Sequence, residues 1–379
     1  MVLLFLFGPQ RPRTTRNANA LPAYDDKEKY MIIVMRRGAP EEEIAYVEER
    51  IREEGVESHR TEGVDLSIIG VIGSPPDGML DRMELLPGVE RVTPISKPYK
   101  LAAREFTATP TVIEVGDVAI GGAGVALMAG PCTVESREQL LAAARGVKAT
   151  GAHLLRGGAF KPRSTPYSFQ GLKDEGLDLL AEARAETGLP VVTEVMEPGK
   201  VPAVYEAADV FQIGARNCQN YPLLHEVGRT DKPVMLKRGP GCTIDEWIQA
   251  AEHVMDQGNM QVMLCERGIK SFETYTRYTL DMSAIPVVKR LTHLPVIVDP
   301  SHSTGKWYLV KAMSMAAIAA GADGLLIEVH PTPDTALCDG AQSLTIENFA
   351  DLAASVQQIA QAVGRVPGAL PDDAPVAAG

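Results

Sequence analysis

From residue 124 onward, short apolar runs alternate eight times with segments of helical periodicity. The runs are VALMAGP, HLLRGG, PVVTEV, VFQIGA, PVMLKRG, MQVMLCERG, PVIVDPSH and GLLIEVHP. Segments such as TIDEWIQAAEHVMDQG and WYLVKAMSMAAIAAG follow them. A strand that is apolar along its whole length is buried on both faces, as in a parallel sheet clad by helices. Eight such units in about 240 residues predict a (β/α)8 TIM barrel over 124–364. A doubly wound open sheet is the rival, weakened because no GxGxxG opens the first helix.

Residues 31–97 carry a different pattern. MIIVMRR reads as a strand, and APEEEIAYVEERIREEG as an amphipathic helix with Ile44, Val47 and Ile51 on one face and Gly55 as its stop. VDLSIIGVIG reads as a half-buried strand with Val64, Leu66 and Ile68 on its inner face. GMLDRMELLPG is a short helix and VERVTPIS another strand. The order β-α-β-β-α-β predicts a small ferredoxin-like α+β domain if ESHRTEG supplies part of the central hairpin. Residues 98–123 read as a connector, with TVIEVGDVAIGG as a hairpin.

The ends carry less pattern. MVLLFLFG is apolar but has no basic residue ahead of it, so residues 1–30 read as a disordered extension, or as translation begun ahead of a functional start at Met31, rather than as a signal peptide. The tail 365–379 reads as disordered.

Composition narrows the function. Of 379 residues, 45% are hydrophobic, enough for a large core, and the formal charge is −12. That excludes a general nucleic-acid binder, whose footprint is basic. Five scattered cysteines with no CxxC pair suit a reducing cytoplasm, and no run approaches a membrane span.

Against this acidic background, cations gather at predicted strand ends. LLRGGAFKPRSTP places Arg156, Lys161 and Arg163 within eight residues. Strand 3 ends at Glu194, strand 4 near Arg216 and Asn217, strand 5 at Lys237 and Arg238, and strand 6 at Glu266 and Arg267. In a (β/α)8 barrel these ends form one catalytic rim. Arg156, Lys161, Arg163, Arg216, Lys237 and Arg267 would therefore make a positive mouth, and arginine forks grip phosphate or carboxylate bidentately. Six cations exceed the need of one phosphate and suggest two anionic substrates. Gly157 and Gly158 read as places where backbone approaches a ligand.

Cys132, His302, Glu328 and Asp339 end strands 1, 7 and 8 or follow them, and strands 1 and 8 are neighbours in a closed barrel. The set offers mixed soft and hard ligands for a divalent transition metal. It reads equally as a buried apolar cysteine beside His302 acting as a general acid or base.

Seven motifs, MAGPCTVES, LLRGGAFKPRSTPYSFQG, IGARNCQN, MLKRGPGCTIDEW, LCERG, VDPSHSTGK and IEVHPTPDTALCDG, resemble 3-deoxy-D-arabino-heptulosonate 7-phosphate (DAHP) synthases. The resemblance is to the short bacterial class related to 3-deoxy-D-manno-octulosonate 8-phosphate synthase, and it runs in order through roughly 120–345. The N-terminal unit resembles the ferredoxin-like regulatory domain of some members. The resemblance implies condensation of phosphoenolpyruvate, erythrose 4-phosphate and water to DAHP and phosphate, opening the shikimate route. It implies one divalent metal ion per subunit (Mn, Fe, Co, Zn or Cd) held by Cys132, His302, Glu328 and Asp339. Arg156 and Lys161 would hold the phosphoenolpyruvate carboxylate. Arg216, Lys237, Arg267 and the Ala215 backbone would hold its phosphate, and Arg163 and Ser164 the erythrose 4-phosphate. Lys161, His302 and Glu194 are the catalytic candidates, with Lys161 and Glu194 as proton movers. A tyrosine or phenylalanine effector and a homotetramer are further implications.

Two rivals remain. The octulosonate synthases typically read KANRSS where this chain reads KPRST, and the shorter loop favours the four-carbon acceptor. A non-catalytic amino-acid sensor built on a dead barrel is disfavoured by the intact cation and ligand sets.

Overall fold

A computed structural model describes residues 30–62, 67–73, 75, 76, 78–95, 99–107, 109–162, 165 and 167–367. The chain divides into two compact units, Met1–Pro94 and Ile95–Gly379.

The first unit runs β1 (Tyr30–Met35), α1 (Glu41–Glu53), β2 (Glu57–Glu62), β3 (Ser67–Ile72), α2 (Met79–Glu84) and β4 (Val89–Ile95). Its sheet order is β2-β3-β1-β4, the ferredoxin-like arrangement expected. β2, from the ESHRTE stretch, pairs antiparallel with β3. Ile44, Val47 and Ile51 of α1 pack with Ile33, Met35, Ile69 and Val71. The inner face of β3 differs from expectation. Ile69 and Val71 are buried and Ile68 only half-buried, while Val64 and Leu66 lie outside the described residues. Ile68 and Ile69 are both apolar, so alternation alone leaves the register open by one residue, and a slip of one exchanges the faces.

The second unit opens with a hairpin, β5 (Ile113–Val115) and β6 (Val118–Ile120). Eight parallel strands follow: β7 (Gly124–Gly130), β8 (Leu154–Arg156), β9 (Val191–Val195), β10 (Val210–Ile213), β11 (Val234–Lys237), β12 (Val262–Glu266), β13 (Val296–Val298) and β14 (Gly324–Glu328). The helices are α3 (Arg137–Ala149), α4 (Asp174–Thr187), α5 (Val201–Ala207), α6 (Tyr221–Gly228), α7 (Ile244–Met255), α8 (Ala284–Leu291), α9 (Pro300–Thr304), α10 (Trp307–Ala319) and α11 (Ile346–Ala362). Each barrel strand pairs with the next, and β14 pairs with β7 in register Glu328↔Gly130, which closes the barrel.

Closure creates two cores. Alternate strand residues such as Met128, Leu154, Val192, Met235 and Ile297 fill the lumen together with Ile113, Val115, Val118 and Ile120 of the hairpin. The opposite strand faces pack under the helices. The hairpin therefore plugs the N-terminal end of the barrel and belongs to it. The chain beyond 364 also departs from expectation. β15 (Val366–Pro367) pairs with β7. Arg365 hydrogen-bonds the Gly122, Gly124, Gly321 and Ala322 carbonyls and Asp323. Five acceptors within reach of one guanidinium hold this segment in place. Residues 368–379 lie outside the described residues.

Candidate active site

A cleft with about 220 Å³ of free space opens at the C-terminal ends of the strands. Arg156, Lys161, Glu194, Ala215, Arg216, Lys237, Arg267, His302, Cys132 and Asp339 all line it. Glu328 lies directly behind, hydrogen-bonded to Arg156 and paired with His302. Arg163 and Ser164 fall outside the described residues.

Strand alternation sorts the cations. Lys237 and Arg238 are adjacent and so point to opposite sides. Lys237 faces the cleft and pairs with Asp299. Arg238 turns away to bind Glu266 at 2.9 Å and Asp281 at 3.0 Å, in contact with Trp247. Arg238 and Glu266 are therefore a buried structural pair. Arg156 donates to the Pro131 carbonyl at 2.7 Å and to Glu328 Oε1 at 3.3 Å, but its Nε is buried with no partner among the described residues. Arg267 lies over the Tyr278 ring at 4.4 Å and also leaves a buried Nε unpaired among the described residues. An unmet buried donor costs about 1–3 kcal/mol. Two of them on cleft arginines leave donors that a bound anion could satisfy. Arg216 is exposed and reaches the Pro162 carbonyl at 3.2 Å.

The second group is compact. Ligand atoms of Cys132, His302, Glu328 and Asp339 all lie within 4.8 Å of one another. Barrel closure brings Cys132, two residues beyond β7, against Glu328 at the end of β14. Asp339 adopts φ +54°, a left-handed conformation that aspartate tolerates better than most residues. Its Oδ2 lies 3.1 Å from Cys132 Sγ and accepts from Lys161 at 2.9 Å. Lys161 Nζ is also 2.6 Å from Cys132 Sγ.

The electrostatics follow from burial and these neighbours. Burial pushes the Cys132 thiol well up, reinforced by Cys338 at 3.8 Å and the Glu328 charge. Burial holds His302 neutral, pushed down to about 4. Burial resists ionisation of Glu328 and Asp339, yet the Arg156 and Lys161 charges hold the first low and Lys161 the second. His302 Nδ1 donates to Asp299 Oδ2 at 2.8 Å, so its Nε2 presents a lone pair to Glu328 Oε1 at 3.2 Å. Two lone-pair donors facing each other, beside a thiol and another carboxylate, fit a divalent cation. The mix of sulfur, imidazole and carboxylate suits a transition metal.

Arg277, which lines the cleft, and Gln342, behind it, are not marked in the sequence. Arg277 stands 3.6 Å from Asp339 Oδ1 and donates to Gln342 Oε1 at 3.2 Å. Gln342 in turn donates to Glu328 Oε2 at 2.6 Å. Arg277 sits in a loop and Gln342 in a single-turn 3-10 helix, both away from the strand ends. Gly157 and Gly158 both line the cleft, and Gly158 has a second role. A Cβ there would lie 2.8 Å from the Cys132 carbonyl, so this glycine lets two loops of the rim pack together.

Fold and cleft together define a (β/α)8-barrel enzyme with a cationic mouth beside a metal-ligand cluster. The DAHP synthetase I family model matches residues 102–365, and a DAHP synthase ferredoxin-like domain model matches 31–97. The chain belongs to the DAHP synthetase I family. It is 47% identical over 334 residues to a phospho-2-dehydro-3-deoxyheptonate aldolase of Thermotoga maritima, spanning 88% of this chain and 99% of that one. It is 37% identical over 257 residues to a 2-dehydro-3-deoxyphosphooctonate aldolase of Syntrophotalea carbinolica, spanning 63% and 92%. The crystal structure of the Thermotoga maritima DAHP synthase superposes with a TM-score of 0.72 at 46% identity, covering 89% of this chain and 99% of that chain. A truncated form of that enzyme gives 0.67 and covers 71% and 99%.

Proposed function

We propose that the enzyme joins phosphoenolpyruvate to erythrose 4-phosphate, with addition of water, to give DAHP and inorganic phosphate. The observation that carries this reading is the meeting of six cleft cations, Arg156, Lys161, Arg216, Lys237, Arg267 and Arg277, with the four-ligand cluster at one opening. Arg156 and Lys161 hold the carboxylate of phosphoenolpyruvate. Arg216, Lys237, Arg267 and the Ala215 backbone hold its phosphate, and Arg163 and Ser164 bind the acceptor's phosphate.

Cys132, His302, Glu328 and Asp339 would hold a divalent ion, which would supply Lewis acidity for the acceptor's aldehyde. The cations hold two mutually repelling anions in attack geometry and neutralise charge without reorganising. The enol carbon attacks the aldehyde carbon, forming the new carbon–carbon bond. Water adds to the resulting cationic carbon, and the phosphate leaves by carbon–oxygen cleavage. Lys161 and Glu194 are the cleft groups assigned to proton transfer. Glu194 is steadied by Gln212 Nε2 at 3.2 Å.

This reaction opens the shikimate route to aromatic amino acids, in the cytoplasm. That setting agrees with five free cysteines and with no membrane-length apolar helix among the described residues. The match of 31–97 to a ferredoxin-like domain supports a feedback role for that unit, with tyrosine or phenylalanine as its ligand. A homotetramer completes the proposal.

The test is phosphate release from phosphoenolpyruvate with two acceptors. Rapid release with erythrose 4-phosphate and little with arabinose 5-phosphate is expected. The reverse preference would assign the chain to the octulosonate synthases instead, a reading favoured by relatives such as the Syntrophotalea carbinolica protein.

A further inference from the structure

We infer that Asp299 is a positioning residue that couples anion binding at Lys237 to divalent-metal binding at His302. The inference rests on the assignment above of Lys237 to phosphate and His302 to metal.

Asp299 is fully buried and follows β13, where its side chain caps α9. Its Oδ1 accepts from the His302 backbone N–H at 2.9 Å. Its Oδ2 accepts from two donors at once, His302 Nδ1 at 2.8 Å and the Lys237 ammonium. One carboxylate oxygen therefore joins the two halves of the cleft. On one side stands a cation assigned to the substrate's phosphate. On the other stands an imidazole whose second nitrogen faces the ligand cluster.

The division of that oxygen's charge sets the coupling. A carboxylate behind a ligating imidazole fixes its tautomer and strengthens it as a donor. Lys237 draws on the same charge and weakens that effect. A phosphate bound at Lys237 accepts hydrogen bonds from the ammonium and leaves more of Oδ2 to His302. Anion binding then tightens metal binding. By reciprocity, metal binding tightens the anion by the same factor.

The experiment titrates cobalt(II) into the full-length protein, followed by thiolate-to-cobalt absorption, with and without saturating phosphoenolpyruvate. This readout reports occupancy and requires no turnover. In the wild type, phosphoenolpyruvate is expected to tighten cobalt by about fivefold or more. In Asp299→Asn, cobalt alone should bind about 10–100-fold more weakly, and phosphoenolpyruvate should shift its affinity by less than about twofold, below the usual range of allosteric coupling. In Lys237→Met, cobalt alone should bind at least as tightly as in the wild type, because His302 no longer shares the carboxylate, and the coupling should again vanish.

A purely structural role for Asp299 would lower metal affinity in both variants without changing the effect of the anion. Undiminished coupling in Asp299→Asn overturns the inference. So does a loss of cobalt affinity in Lys237→Met comparable to that in Asp299→Asn. If Asp299→Asn fails to fold, coupling retained in Lys237→Met is decisive against it. Wild-type protein that binds both ligands independently refutes the coupling and leaves the proposed reaction standing, whereas protein that binds neither refutes both.

Discussion

Replacing Gly130 by alanine tests how strictly the barrel positions its cleft. Gly130 ends β7 opposite Glu328, at φ +152°, a backbone conformation that L side chains rarely adopt. A Cβ there would lie 2.2 Å from the Arg156 carbonyl oxygen and 2.9 Å from Leu155 Cδ1. Non-bonded heavy atoms settle at roughly 3.5–4.0 Å, so the Arg156 backbone must retreat by about 1 Å or more. Nothing nearby yields easily, since Arg156 is held to Pro131 and Glu328 and its strand lies between β7 and β9. Overpacking of this kind costs about 1–3 kcal/mol of stability. A catalytic group misplaced by about 1 Å costs on the order of 100-fold in rate. The expected result is a kcat/KM for phosphate release reduced about 100-fold, with a midpoint shift in urea that leaves the protein folded in the assay. Activity within threefold of wild type in Gly130→Ala would refute the claim that this contact sets Arg156.

Other expectations address separate parts of the molecule. Chelation should abolish phosphate release, and Cys132→Ala should resist rescue by added metal; activity surviving both treatments would remove the metal from the account. Arg365→Ala should lower stability by about 1–3 kcal/mol in urea denaturation, because part-buried carbonyls and the buried Asp323 lose their donor, yet leave kcat unchanged, since Arg365 serves the opposite end of the barrel; a kcat loss with no midpoint shift would contradict this. Burial lowers the pKa of His153 and His293 from the ordinary 6.5, so the unfolded chain binds protons more readily there. Their contribution is fully present above about pH 6.5 and is lost as pH falls toward the depressed folded values; a melting temperature of chelator-treated protein that stays flat or rises from pH 7.5 to 5.5 would overturn it. Deleting 1–97 should abolish inhibition by tyrosine or phenylalanine, and inhibition surviving in the truncated enzyme would acquit that unit.

Much of the barrel is legible in the sequence because its parallel strands are buried on both faces and so read as unbroken apolar runs. The site is legible for a related reason. Polar residues at the ends of such runs gather near the rim, where Arg156, Lys237, Arg267 and Glu194 line the cleft while Arg238 and Glu266 pair away from it. The nearness of Cys132 to Glu328 depends on closure of β14 onto β7, which no local pattern contains. Arg277 and Gln342 are not legible because a loop and a single-turn helix carry no periodicity to mark their direction. The inner face of β3 was misassigned by one residue because Ile68 and Ile69 are alike in hydropathy and only tertiary packing separates them. The order at Arg365–Pro367 was missed because one arginine and a two-residue strand leave no compositional trace.

The most direct test is a crystal structure of the full-length protein grown with manganese and phosphoenolpyruvate, with anomalous scattering used to place the ion. The account predicts one ion at about 2.0–2.6 Å from donor atoms of Cys132, His302, Glu328 and Asp339. It predicts the carboxylate of phosphoenolpyruvate on Arg156 and Lys161, with the phosphate on Arg216, Lys237 and Arg267. An ion bound away from Cys132, or a phosphate lodged outside the cleft, would contradict it.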